Sequence, residues 1–211
     1  MVLNYRALLR HKINKQNRAR LLYDLHNPIS IISSNCIGGV ISHELGLRFE
    51  SPTVNLFFYP DSYIEYISHL EEYSKKELIE IKGTKDVTYP IGQLGEEGKV
   101  VIHFMHYQSF DEAKNKWIER TLRINFDNLY FILAERDGIT HEQMKTFDDL
   151  PYANKVLLTC NQYDDIACSR CLLGYRQEGE LMDLLQYKGR FTGKRFLDDF
   201  DYVGFLNGEV F

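Results

Sequence analysis

Short apolar runs rich in β-branched residues recur along the chain, separated by stretches whose apolar positions return every three or four residues. Runs at residues 29–33, 53–59, 99–106, 129–134 and 155–160 read as strands. Their near-continuous apolar character is that of strands buried on both faces. Helical spacing predicts helices over 40–47 and 62–79, the second opened by Pro60-Asp61 and marked by Ile64, Ile67, Leu70 and Tyr73. Ser109-Phe110-Asp111-Glu112 and Thr140-His141-Glu142-Gln143 have the form of capping boxes, so helices are expected from 109 to about 124 and just after Thr140. Residues 81–98 are turn-rich, with room for a short edge strand at 87–92, and two helices are expected at 179–186 and 194–206.

Strands alternating with helices predict an α/β fold, a Rossmann-like three-layer sandwich around a mainly parallel sheet. No repeat or Pro/Gly/Ser linker divides the chain, so residues 29–211 are expected to form a single domain behind a basic N-terminal helix over 1–28.

Composition narrows the class. With 44% hydrophobic residues, 13 Phe and 14 Tyr among 211 residues, the chain can bury a sizeable core. No apolar run is long enough to span a bilayer and no signal-peptide pattern opens the sequence, so a cytoplasmic protein is expected. Four cysteines are too few for a disulfide scaffold, and Cys168-Ser169-Arg170-Cys171 lacks the second ligand pair of a zinc site. Charge is uneven: Arg6, Arg10, Lys12, Lys15, Arg18 and Arg20 meet no acid in the first twenty residues, against −5 for the whole chain. Such a helix can touch a peripheral membrane surface, but docking on the domain through Leu8, Leu9, Ile13, Leu21 and Leu22 is favoured, and the scarcity of aromatics there argues against nucleic acid.

Ligands of open parallel sheets bind beyond the carboxyl ends of the strands. The first strand ends in Ser34-Asn35-Cys36, followed by Gly38-Gly39 at a helix start. This loop lacks the spacing of dinucleotide and Walker motifs, yet glycines before a helix N-terminus allow an anion to approach the backbone. The same glycines also serve a tight strand-to-helix turn. The strand at 99–106 ends in His106, a side chain of the type that changes charge near neutral pH, hence a candidate acid or base. Two-residue alternation sets His103 and His106 on opposite faces, against a shared metal. Glu135-Arg136-Asp137-Gly138 supplies carboxylates beside a glycine turn, and Lys116, Arg120 and Arg123 fall on one helix face.

The stretches "SIISSNCIGGVISHELGLRFESPTVNLFF", "VIHFMHYQSFDEAKNKWIERTLRIN", "AERDGITHEQMKTFDDLPYANKV" and "GKRFLDDFDYVGFLNG" resemble a bacterial family catalogued as domain of unknown function nineteen-nineteen. The resemblance implies a Rossmann-like fold and a link to exopolysaccharide or capsule biosynthesis, with no assigned reaction. Against the family pattern, Ser34 replaces an Asn and Ile37 an aromatic, while the patterns at 102–107 and 136–138 are intact.

The expectation is a transferase using a phosphorylated or nucleotide-activated sugar. In it Ser34, Asn35, Gly38, Gly39 and Arg136 bind the ligand, and His106, Asp137 and Cys36 are the catalytic candidates. Metal binding is not expected, and no cofactor is indicated. A non-catalytic sugar- or nucleotide-binding partner protein is the alternative, and a Cys36–His106 acyl-transferase or hydrolase a third reading.

Overall fold

The computed structural model describes residues 2–83, 87–172, 176–177 and 179–209. Elements follow in the order α1 (Val2–Arg20), β1 (Ser30–Ser33), α2 (Ile37–Leu45), α3 (Pro60–Ser68), α4 (Leu70–Tyr73), β2 (Leu78–Glu80), β3 (Ile91–Leu94) and β4 (Val101–His103). Then come α5 (Phe110–Thr121), β5 (Leu129–Ala134), α6 (His141–Asp148), β6 (Lys155–Thr159), β7 (Ser169–Cys171), β8 (Arg176–Gln177), β9 (Glu180–Leu181), a 3-10 turn (Phe196–Asp199) and α7 (Tyr202–Leu206).

The fold is mixed α/β. Strands β1, β5, β6 and β7 form a parallel sheet in the order β1-β5-β6-β7, with Ile32 opposite Phe131 and Leu133 opposite Leu157. Alternation along these strands feeds two cores. Ile32, Phe131, Leu133 and Leu157 pack with α3, Trp117, Met144 and Phe147 on one side. Ile31, Ile132, Val156 and Leu158 pack with Ile41 and with Leu197, Val203 and Leu206 on the other.

A second sheet, β2-β3-β4, is antiparallel. It corrects the expectation that residues 99–106 join the parallel sheet. The β3–β4 connection, 95–100, turns at Gly95 and Gly98 with φ of 71° and 68°. A parallel crossover needs a dozen or more residues, so these two strands can only pair antiparallel. Residues 53–59, expected as a strand, are irregular: Phe57 makes an isolated bridge to His103, and Phe58 N–H donates to Ser34 O at 2.8 Å. That short segment joins the carboxyl end of β1 to the edge of the antiparallel sheet.

Other boundaries shift for local reasons. The helix expected over 62–79 stops at Ser68, because His69 leaves helical geometry at φ −130°, ψ 40°, and α4 and β2 follow. The edge strand expected at 87–92 becomes β3, the central strand of its sheet. Residues 179–186 hold β9 and turns instead of a helix. The helix expected over 194–206 breaks at extended Phe200, with Asp201 capping α7 through Gly204 N–H. Thr140 and Gln143 do form the full capping box, whereas Glu112 reaches back to Gln108 N–H instead of Ser109 N–H.

Helix α1 docks mainly by charge. Leu8 and Leu22 are exposed, and Arg10 is buried. The Arg10 guanidinium forks onto both Glu44 oxygens and reaches Asp198 Oδ2 at 2.6 Å, while Arg195 Nη1 donates to Glu44 Oε1 at 2.9 Å. Arg6 donates to Arg190 O, Arg18 to Glu44 O, and Arg20 pairs with Asp201. Four of the six N-terminal cations are therefore turned onto this chain's own residues. No helix among the described residues is long and apolar enough to cross a membrane.

Candidate functional site

The carboxyl ends of β1 and β5 open into a cleft of about 590 Å³, within the usual range for small-molecule sites. Its floor is apolar, with Ile37, Ala134, Leu181 and Leu184 buried. Half-buried Asn35, Cys36, Arg136 and Asp137 stand above it, and Tyr59, Met105, His106 and Asp183 form an exposed rim.

The opening loop is built from its own side chains. Ser33 Oγ donates to Asn35 O at 2.5 Å and accepts Gly38 N–H at 3.0 Å, and Asn35 Oδ1 accepts Ile37 N–H at 3.0 Å. Two of the first amides of α2 are thus already capped. A Cβ on Gly38 would stand 2.6 Å from Ser33 Oγ, and one on Gly39 3.1 Å from Val54 Cγ1. Neither glycine lines the cleft. Both glycines let α2 pack closely on its neighbours. Ser34 is likewise not among the residues lining the cleft. It is buried, and its backbone is held by Ile132 O and Phe58 N–H.

Cys36 precedes α2 and lines the cleft, but its Sγ meets Leu56 O at 3.7 Å. Burial pushes its thiol up, against the pull of Arg136. A nucleophile needs the opposite shift. Among the described residues no hydrogen bond joins Cys36 to His106, and the Cys–His reading loses its geometric basis.

Asp137 carries the clearest backbone signature. It is a non-glycine residue at φ 60°, followed by Gly138 at φ 76°. Such left-handed pairs make tight turns, and a non-glycine there costs energy that the surroundings must offset. Glu180 does so by accepting Asp137 N–H at 3.2 Å and Gly138 N–H at 2.7 Å. The Asp137 carboxylate takes the Arg136 guanidinium through Nε at 2.9 Å and Nη2 at 3.5 Å. Glu135 faces elsewhere, accepting Cys160 N–H and the Tyr163 hydroxyl.

An aromatic cluster built on Phe57, Tyr59 and Tyr89 also lines the cleft. Phe57 stacks on His103 at 4.6 Å, with Tyr59 and Tyr89 edge-on to both rings. Burial lowers the His103 pKa, partly offset by Asp137, and its Nδ1 is buried without a partner. His106 stands beyond the end of β4 on the rim, so its position owes nothing to strand alternation. The predicted stripe on α5 does not form. Arg120 is buried against the Tyr107 hydroxyl, while Lys116 and Arg123 both pair with Glu119. Cys168 lies in the turn just before β7, and Cys171 ends that strand. Burial, with Asp148 beside it, pushes the Cys168 thiol up to about 12. No His/Cys/Asp/Glu group among the described residues is arranged to hold a metal.

The cleft therefore unites Asn35, Cys36, His106, Arg136 and Asp137 from the expected set and leaves out Ser34, Gly38 and Gly39. It adds Tyr59, Tyr89 and the 181–185 segment. Tyr59 sat at a legible strand end. Glu180 and the segment after it carried no local signal, since their role depends on β5 more than forty residues earlier.

Residues 4–207 match a family described as domain of unknown function, DUF1919. An uncharacterized protein of Haemophilus influenzae is 33% identical over 204 residues, covering 94% of this chain and 96% of its own.

Proposed function

This chain belongs to the DUF1919 family, and from that premise we propose that its cleft binds an activated sugar, phosphorylated or nucleotide-linked, for transfer to an acceptor. Surface-polysaccharide assembly in the cytoplasm is the setting that fits such a donor. The parallel sheet is read as the Rossmann-like half of the fold, using its carboxyl edge in the way such sheets do.

One observation carries the reading: three separate segments, 35–36, 105–106 and 136–137, bring their polar side chains to one cleft with an aromatic rim. In the proposed step an acceptor hydroxyl attacks the anomeric carbon as the bond to the leaving phosphate breaks. His106 takes the hydroxyl proton, Asp137 orients a sugar hydroxyl, and the phosphate leaves with the electrons of the broken bond. A second reading, binding without turnover, is favoured by one fact. Among the described residues nothing orients the His106 ring, which sits exposed on the rim.

A thermal-shift panel of nucleotide sugars and sugar phosphates, with and without Mg²⁺, tests binding. A ligand at a hundred times its Kd adds about 2.7 kcal/mol. Silence at millimolar concentration rejects the donor site. With a ligand in hand, His106→Ala separates the two readings: transfer falls at least a hundredfold with binding intact if the protein is an enzyme.

A further inference from the structure

The polar groups that the cleft presents to a ligand are of mixed kind. Asn35 spends Oδ1 on Ile37 N–H, leaving its two Nδ2 hydrogens for a ligand acceptor. Asp183 spends Oδ1 on Leu185 N–H, leaving Oδ2 for a ligand donor. Asp137 offers carboxylate lone pairs, with the donors of Arg136 fixed beside them. Donors and acceptors thus occur together in one cleft, which suits neighbouring hydroxyls on a ring, each of which both gives and takes a hydrogen bond.

The apolar side of the cleft is equally specific. Tyr59 is 50% exposed, yet its backbone is fixed as the residue before Pro60 at the start of α3. Edge contacts to Phe57 and His103 hold the ring from behind. A rigid, half-open aromatic ring is a stacking surface whose ordering has already been met by the fold. A polyanion is less well served. The Arg136 guanidinium is committed to Asp137, Asp183 adds a second carboxylate, and Ser33 and Asn35 cap the amides of Gly38 and Ile37.

We infer that the group held in this cleft is the uncharged, hydroxyl-bearing ring of the substrate, stacked on Tyr59 and read by Asn35, Asp137 and Asp183, with any phosphate left outside. This rests on the sugar-donor reading above and assigns the binding energy to the sugar half of that donor.

The test uses the full-length protein and ligand-observed saturation-transfer NMR. Probes are a panel of methyl pyranosides, the free nucleoside diphosphates and the corresponding nucleotide sugars. Methyl pyranosides are expected to show transfer from the protein, weakened roughly tenfold by Tyr59→Ala and retained by Tyr59→Phe. Asp137→Asn, which tolerates the left-handed backbone, is expected to weaken the same signals. Free nucleoside diphosphates are expected to bind at least tenfold more weakly than the nucleotide sugars. Nucleotides binding as tightly as nucleotide sugars, with no effect of Tyr59→Ala, would overturn the inference and leave the donor reading standing. If no probe of any kind binds while circular dichroism shows the fold intact, both fall.

Discussion

Replacing Arg10 by Met tests whether α1 is held by charge or by packing. The guanidinium makes a fork with Glu44 and a 2.6 Å bond to Asp198, and all three side chains are less than 10% exposed. Methionine keeps most of the stem volume, so little cavity forms. What remains is two buried carboxylates served by Arg195, through Nη1 to Glu44 and backbone N–H to Asp198. Removing one partner from a buried pair costs about 3–5 kcal/mol. Since Arg195 stays, the lower end applies, and about 3 kcal/mol corresponds to a fall in Tm of roughly 6–12 °C for a chain of this size. The control is Arg20→Met. Its bond to Asp201 is also 2.6 Å, but both side chains are about half exposed, and such pairs contribute under ~1 kcal/mol. Urea melts and calorimetry of both variants give the comparison. Equal losses, or a loss under about 1 kcal/mol for Arg10→Met, would refute the claim that burial makes the first pair matter.

Gly38→Ala is expected to lower stability by about 1–3 kcal/mol, because the new methyl meets Ser33 Oγ at 2.6 Å; an unchanged urea midpoint would contradict the packing role. Cys36 should alkylate several-fold more slowly with iodoacetamide near pH 7.5 than a model thiol and speed up as pH rises, read by peptide mass spectrometry. Burial lowers the His103 pKa, so the unfolded chain binds the proton more readily than the native one. Stability from this group is therefore full above the unfolded value of about 6.5 and is lost as pH falls toward the folded value. His103→Phe should flatten that acid slope of Tm, and an unchanged slope would count against it.

Strands β1, β5 and β6 were legible because each is buried on both faces and is centred on adjacent apolar residues. Thr140 and Ser109 were legible because a cap is a local hydrogen bond. The antiparallel sheet was not. Ile64, Ile67, Leu70 and Tyr73 keep a helical rhythm across the break at His69, and β2 is too short to impose its own period. Residues 53–59 carry the composition of a strand, yet instead of a ladder they make one reciprocal pair of bonds between Phe57 and His103 and one from Phe58 N–H to Ser34 O. At the site, sequence order gave Asn35, His106, Arg136 and Asp137 as strand-end residues. It gave no hint that Ser33 and Asn35 would cap the amides meant for a phosphate. Nor could it show Arg10 buried, since the partners lie 34 and 188 residues away.

That last separation sets a schedule for folding. During synthesis α1 leaves the ribosome well before the residues that hold its far side, Asp198, Asp201 and Tyr202. At about 5–20 residues per second the helix waits roughly 10–40 s for them. Alone in water a helix of this length is marginal, and until Asp198 arrives Arg10 lacks one of its two carboxylate partners. The parallel sheet has its β1, β5 and β6 strands available well before that. Full docking of α1 therefore has to wait for a contact that spans 188 residues of chain.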